Sequence, residues 1–129
     1  MSIQLTLLAW TLVLALVQIL AAAQARTRET GLAWNAGPRD AASVPVGKLA
    51  GRLKRAQGNL LETLPVFAAA ILIAHVAGRE SALSAAGAWT YLIARVVYVP
   101  LYAAGIPYVR SLAWVVSIIG ILLVLVPLL

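Results

Sequence analysis

The sequence predicts an all-α integral membrane protein, a single domain of residues 1–129 built as a four-helix bundle. Three observations lead to this fold class. The chain of 129 residues is 63% hydrophobic and 11% charged, with a mean hydropathy of +0.96, which is too apolar for a soluble domain of this size. Four apolar runs come close to the roughly 20 residues that a helix needs to cross a bilayer. These runs lack the alternation of barrel strands, so we expect helices.

The first helix is predicted over residues 3–25. Its last residues, AAAQA, resemble a signal-peptide cleavage site, but no Lys or Arg precedes the run. The run is also longer than the roughly 7 to 15 residues of a signal-peptide core, so we expect it to stay in the protein. Gln4, Thr11 and Gln18 are spaced seven apart and predict one polar stripe that faces protein.

The second helix is predicted over residues 45–77. The preceding segment TGLAWNAGPRD is rich in Gly, Asn and Pro and predicts an ordered loop. Ser43 can cap the helix and Pro45 suits its first turn, so the helix would begin in the cytosol. Inside the helix, Pro65 removes a backbone hydrogen bond to the Leu61 carbonyl, which favours a kink.

The third and fourth helices are predicted over residues 82–105 and 109–129. The third carries Ala86, Thr90 and Ala94 at a spacing of four, a pattern of small residues that lets helices approach closely. The fourth is the most apolar and predicts packing and lipid contact.

The distribution of positive charge predicts the orientation of the bundle. Seven Lys and Arg residues lie in the first connection, one in the third and one in the second. Because positive charge is retained on the cytoplasmic side, both termini are expected to face away from the cytoplasm. This asymmetry and attraction to anionic lipid account for the net charge of +6, so we do not infer nucleic-acid binding.

The residue types also limit the chemistry. The chain contains no cysteine, which excludes disulfides, protein thiol catalysis and thiolate metal sites. Any thiol chemistry must therefore come from a ligand. His75 lies near the opposite end of the second helix from the polar residues. Because a metal site needs three or four converging ligands, we predict no metal site.

Two polar faces lie on the second and third helices. They are formed by Arg55, Asn59 and Glu62 and by Arg95, Tyr98 and Tyr102. Glu62 would lie about 6 Å inside the hydrocarbon and Arg95 about 14 Å from its helix end. Because an arginine side chain can extend toward the membrane surface by that difference, we predict a contact between Arg95 and Glu62, with Asn59 beside them.

Further polar residues are expected at the cytoplasmic helix ends. They are Arg26, Arg28, Tyr108, Arg110 and Ser111. Several cations would then surround a single carboxylate, an arrangement that suits an anionic ligand. For Tyr108 we favour an interfacial position over a role in a pocket.

Two motifs resemble the membrane-associated proteins in eicosanoid and glutathione metabolism, the MAPEG family. They are R-A-Q-x-N-x-x-E-x-x-P-x-F from Arg55 to Phe67 and A-R-x-x-Y-x-x-x-Y from Ala94 to Tyr102. An R-S pair at residues 110 and 111 and Q-A-R at residues 24–26 extend the match. The resemblance implies a homotrimer that binds glutathione between subunits and acts as a transferase, a peroxidase or a lipid-mediator synthase. The loop containing NAGPRD is similar to the bacterial branch, which implies a bacterial inner membrane.

The resemblance also implies roles for individual positions. Glutathione-binding residues would be Arg26, Arg55, Asn59, Glu62, Arg95, Tyr98 and Tyr102. Arg110 and Ser111 match the region that stabilises the thiolate, so they are the predicted catalytic residues. The second substrate would be a hydrophobic small molecule or lipid that enters from the bilayer.

Three alternatives remain open at this stage. The pairing of Arg95 with Glu62 can be purely structural. The protein can be a noncatalytic scaffold that keeps the family fold. It can also be a small multidrug transporter, although the first helix lacks the acidic residue that would couple protons to transport.

Overall fold

The computed structural model describes residues 1–38 and 47–129, and these residues form an all-helical bundle. The elements are α1 (Ile3–Thr30), α2 (Leu32–Ala36), α3 (Lys48–Val76), α4 (Ala82–Ala103) and α5 (Pro107–Leu125), followed by a 3-10 turn at Val126–Leu128. All of these except α2 and the turn are long helices, and each long helix is long and apolar enough to cross a membrane. The predicted fold class is therefore confirmed.

The long helices run back and forth, so that both chain termini lie at one end of the bundle. There, the hydroxyl of Ser2 donates a hydrogen bond of 2.6 Å to Glu80, in the turn between α3 and α4. Arg79 of the same turn donates to the carbonyl of Leu128 at 3.2 Å. The opposite end contains the start of α3 and the turn between α4 and α5, and we call it the basic end because it carries Arg55 and Arg110.

Helix α3 contacts each of the other three long helices, while α1 packs on α3 and α4. The core between them is apolar, with Leu60, Phe67 and Ile71 of α3 fully buried. The ring of Phe67 stacks on Tyr91 with centroids 4.0 Å apart. The Tyr91 hydroxyl is in turn hydrogen-bonded to Thr63 at 2.8 Å, so the buried phenol has a polar partner.

Helices α4 and α5 approach each other closely at Gly87 and Gly120. A Cβ atom added to Gly87 would lie 2.6 Å from the Gly120 carbonyl oxygen, so a side chain does not fit there. We expected the close approach at Ala86, Thr90 and Ala94, but Ala86 is exposed and Thr90 is half-buried. The helices instead approach each other at Gly87, one residue after Ala86, because glycine permits a shorter distance between backbones than alanine.

The structure corrects the prediction of a loop after the first span. α1 continues to Thr30 and ends at Gly31, whose φ of 86° is in the region that favours glycine. The chain then forms the short helix α2, where the Asn35 amide donates to Thr27 and accepts from Thr30, both at 2.7 Å. These side-chain bonds stabilise a turn that composition alone does not reveal.

The structure describes the middle of the second predicted helix but not the residues predicted to begin it. The proposed cap Ser43 and first-turn Pro45 lie outside the described residues. α3 continues through Pro65 as one helix. α4 also contains a proline, Pro100, within its last turn.

The polar stripe of α1 faces protein, as predicted. Gln4, Thr11 and Gln18 are all at least nine-tenths buried. Gln4 donates to the Ser84 hydroxyl at 2.9 Å, and Thr11 donates to the carbonyl of Leu7 at 2.8 Å.

Candidate functional site

The polar faces of α3 and α4 meet, and a buried arginine joins them. Arg95 is 1% exposed, and its Nη1 donates a hydrogen bond of 2.8 Å to Oδ1 of Asn59. Its guanidinium carbon lies 4.3 Å from the ring centroid of Tyr98, a cation–π distance. Nε and Nη2 of Arg95 have no hydrogen-bond partner among the described residues, so the Asn59 oxygen is the one acceptor that this buried charge has there.

The predicted contact between Arg95 and Glu62 is wrong. Within the described residues, the only cation–carboxylate pair closer than 4.0 Å is His75 with Glu80, at 3.2 Å and at the opposite end of the bundle. Asn59 lies nearly one turn closer to the basic end than Glu62, and its amide oxygen accepts the hydrogen bond from the Arg95 guanidinium. The Glu62 side chain is exposed in the single chain, so its carboxylate is available to something else.

Tyr102 lies between two further arginines. Its hydroxyl accepts a hydrogen bond of 3.1 Å from Nε of Arg55, and its ring centroid is 4.6 Å from the guanidinium carbon of Arg110. The ring of Tyr98 follows at 5.6 Å, tilted by 56°. The two tyrosines therefore fix the positions of three guanidinium groups along one side of the bundle.

These contacts surround a cavity of about 500 Å³, which we call the polar cavity. Three helices line it: α3 with Arg55, Gly58, Asn59 and Glu62, α4 with Tyr98 and Tyr102, and α5 with Arg110, Ser111 and Trp114. Among these described lining residues are two cations and one carboxylate, so the cavity carries surplus positive charge. The hydroxyl of Ser111 donates to the carbonyl of Pro107 at 3.1 Å within its own helix.

Two predicted site residues do not line the polar cavity. Arg95 lies behind Asn59 and Tyr98. Arg26 lines a separate cavity of about 410 Å³ between α1 and α3, together with Lys54 and Arg55. Its guanidinium carbon lies 5.0 Å from the ring of Trp34. Arg55 is therefore the residue that belongs to both cavities.

The structure adds residues that sequence reasoning did not assign to the site. Trp114 lines the polar cavity. Its spacing of four from Arg110 put it on the same helix face, a signal that was present in the sequence. Gly58 also lines the cavity, and a Cβ atom added there would meet nothing within 4 Å. Arg28 and Tyr108 are exposed and do not line this cavity.

Comparison with known families decides the identity. The model of the MAPEG family matches residues 7–129. The chain belongs to the MAPEG family. This membership and the four long apolar helices establish an integral, multi-pass membrane protein of the family concerned with eicosanoid and glutathione metabolism. Comparison with curated proteins and with solved structures gave no significant match.

The MAPEG match covers both helices that carry the two polar faces and all of α5. All the residues that line the polar cavity therefore lie within the matched part of the chain.

Proposed function

We propose that this MAPEG protein binds glutathione in the polar cavity and activates its thiol toward a hydrophobic electrophile or a lipid hydroperoxide. The observation that carries the proposal is the placement of Arg55 and Arg110 around one cavity with Glu62 as its carboxylate. Glutathione has two carboxylates, one ammonium group and one thiol, so its charges complement this set. The cavity volume of about 500 Å³ also lies within the usual range for small-molecule sites, about 300 to 1,000 Å³.

The binding groups divide by charge. Arg55 and Arg110 offer planar donors that suit carboxylates. Glu62 has no cation within 4.0 Å among the described residues, which leaves it free to accept from an ammonium or amide group. Tyr98 and Tyr102 complete the wall, and the Tyr102 hydroxyl holds Arg55 in place.

Arg95 acts differently from the other arginines in this proposal. It is almost fully buried and does not line the cavity. Its bond to Asn59 Oδ1 fixes the rotamer of that amide and leaves the Asn59 amide group available to the ligand. We therefore assign Arg95 a positioning role and assign binding to Asn59.

Arg110 and Ser111 are the proposed catalytic residues. Bound glutathione would supply a thiol whose thiolate form is a strong nucleophile. Arg110 contributes a guanidinium charge that favours the thiolate over the thiol in the cavity. Ser111 lines the same cavity and offers a hydroxyl that can turn from the Pro107 carbonyl to a ligand. Trp114 adds an apolar wall for a hydrophobic second substrate.

The assembly and location belong to the same proposal. Because Arg26 lies in a different cavity of the chain, we infer that a neighbouring subunit supplies the Arg26 that contacts glutathione. A homotrimer with glutathione between subunits, as the family resemblance implies, would meet this requirement. We place the basic end at the cytoplasmic face of a bacterial inner membrane, with both termini on the other side.

Glutathione binding in detergent tests the proposal directly. Isothermal titration calorimetry on the natural protein should give saturable binding. Arg55→Gln and Glu62→Gln should weaken it by about tenfold or more, as expected for hydrogen bonds to charged groups. Arg79→Gln is the matched control, because this arginine lies at the opposite end of the bundle, where it donates to Leu128.

Binding and activity measurements together distinguish a glutathione-dependent enzyme from a noncatalytic scaffold. If the natural protein does not bind glutathione, the proposal is wrong. If it binds glutathione but neither conjugates it to an electrophile nor reduces a hydroperoxide with it, the noncatalytic scaffold is favoured over the enzyme.

A further inference from the structure

A third cavity lies between α1 and α4, and we call it the α1–α4 cavity. Its volume is about 300 Å³, and it shares no described lining residue with the polar cavity. Its walls are aliphatic, among them Val17 and Ala21 of α1 and Val96 and Val99 of α4. Among the described residues that line it, Gln18 has the only polar side chain.

The side chain of Gln18 is buried, and no described residue forms a hydrogen bond with it. Gln18 is 4% exposed, and neither its Oε1 nor its Nε2 has a partner among the described residues. Gln4 on the same stripe differs, because its Nε2 donates to the carbonyl of Ser81 and to the hydroxyl of Ser84. A buried amide that loses water and gains no partner destabilises the fold, so the Gln18 amide requires a hydrogen-bonding molecule in the cavity.

A backbone feature in the same wall adds a second acceptor. Pro100 lies inside α4 and has no N–H group, so it cannot donate to the carbonyl of Val96 four residues earlier. Val96 and Pro100 both line the α1–α4 cavity. The cavity therefore combines one amide donor, one amide acceptor and a helix turn whose carbonyl lacks its usual donor.

We propose that the α1–α4 cavity binds an apolar alcohol that enters from the bilayer, with its hydroxyl at Gln18. A hydroxyl both donates and accepts, so it can satisfy Oε1 or the Val96 carbonyl while it accepts from Nε2. A ketone or an ester can only accept, and an alkane can do neither. A carboxylate would bring an unpaired charge into an apolar wall.

The cavity borders the outer surface of the single chain. Val17 is 56% exposed and Val96 is 49% exposed on the outer surface of the chain. An apolar molecule dissolved in the bilayer would thus reach the cavity laterally, without crossing the basic end. This site is independent of the proposed glutathione site, so each is tested without the other.

Photolabelling in phosphatidylcholine vesicles tests the proposal. One probe is a long-chain primary alcohol with an aliphatic diazirine, and the matched probe is the alkane with the same diazirine. Mass spectrometry should find labels on Val17, Ala21, Val96 and Val99. The alcohol should label them about tenfold more than the alkane, the factor expected from about 1.4 kcal/mol for one buried hydrogen bond. Excess alcohol without the diazirine should compete with the label.

The variant Gln18→Leu should lose the preference for the alcohol. Because it removes an unpaired amide, it should unfold at a temperature no lower than the natural protein. Thr90→Val is the matched control, since it removes a polar side chain of α4 that bonds only to its own helix and should keep the preference.

Equal labelling by both probes would overturn the proposal and indicate a groove that takes any lipid chain. An alcohol preference that survives Gln18→Leu would also overturn it. Absence of label from the cavity walls would contradict it as well and would indicate that a water molecule satisfies the amide.

Discussion

Arg95 donates a hydrogen bond of 2.8 Å from Nη1 to Oδ1 of Asn59, and this bond joins α3 to α4. It places a guanidinium that is 1% exposed beside a neutral amide rather than beside the nearby carboxylate of Glu62. The carboxylate therefore remains available to the polar cavity. The hydrogen bond between Arg95 and Asn59 thus leaves the Glu62 carboxylate unpaired among the described residues and able to bind a ligand in the polar cavity.

Loss of the Asn59 amide should destabilise the protein. Asn59→Leu leaves the Arg95 guanidinium without its hydrogen-bond acceptor in a buried position, which should cost about 2 to 3 kcal/mol. Unfolding of the purified protein in mixed detergent micelles measures this free energy. Glu62→Gln is the control, because Glu62 makes no ion pair with Arg95, and it should change the stability little. A larger loss for Glu62→Gln than for Asn59→Leu would show that the carboxylate is the true partner.

The close crossing of α4 and α5 predicts a second effect on stability. Gly87→Ala places a methyl group 2.6 Å from the Gly120 carbonyl oxygen, so the helices must move apart, at a cost of about 1 to 3 kcal/mol. Gly58 lies within α3, and a Cβ atom added there meets nothing within 4 Å. Gly58→Ala should therefore raise the free energy of unfolding by about 0.5 to 1 kcal/mol. Thermal unfolding measures both changes. Equal effects of the two substitutions would contradict the close crossing.

Trp114 should report on occupancy of the polar cavity. Its indole lines the cavity, so a bound polar ligand should change its fluorescence. Titration with glutathione should give a saturable change in the natural protein and none in Trp114→Phe. Trp10→Phe is the control because Trp10 is 59% exposed on α1 and does not line the polar cavity. A signal that survives Trp114→Phe but disappears in Trp10→Phe would place the ligand elsewhere.

The end of the bundle that carries the termini should be sensitive to acid. The hydroxyl of Ser2 donates to Glu80 and lowers the pKa of that carboxyl below 4.5, against the opposing effect of burial, and His75 also contributes by a hydrogen bond and its charge. A carboxyl whose pKa is lowered in the folded state stabilises the fold above its unfolded pKa. This contribution is lost as the pH falls from about 4.5 through the lower folded value.

The measurement is the unfolding midpoint between pH 6 and pH 3. Ser2→Ala removes the largest cause of the shift and should make the midpoint less dependent on pH in the acid range. Ser111→Ala is the control, because that hydroxyl bonds only to its own helix. If Ser2→Ala and the natural protein lose stability in parallel, Ser2 does not lower the pKa of Glu80.

Much of the fold was predictable from the sequence, because a helix that crosses a bilayer needs a long apolar run. The polar faces were predictable too, since positions three, four and seven apart share a face of a helix. The partner of Arg95 was not, because depth along two helices fixes height in the membrane but not the rotation of each helix. Asn59 and Glu62 differ by less than one turn, and side-chain geometry chooses between them.

Other features depend on tertiary contacts that no local pattern specifies. The short helix α2 has five residues, and it is held by side-chain bonds from Asn35 to α1 rather than by its own propensity. Arg52 donates to the Ala103 carbonyl at the end of α4. Arg79 likewise donates to the Leu128 carbonyl in the 3-10 turn that follows α5. The sequence showed these arginines as charge in connections, and the structure shows them as partners of helix ends.

The ultraviolet absorbance of the glutathione thiolate tests the central claim most directly. The natural protein, saturated with glutathione in detergent at neutral pH, should show thiolate absorbance well above that of free glutathione. Arg79→Gln should keep the signal, while Arg110→Gln should lose most of it yet retain glutathione, because Arg55 and Glu62 remain in the cavity. Equal thiolate absorbance in Arg110→Gln and in the natural protein would contradict the account.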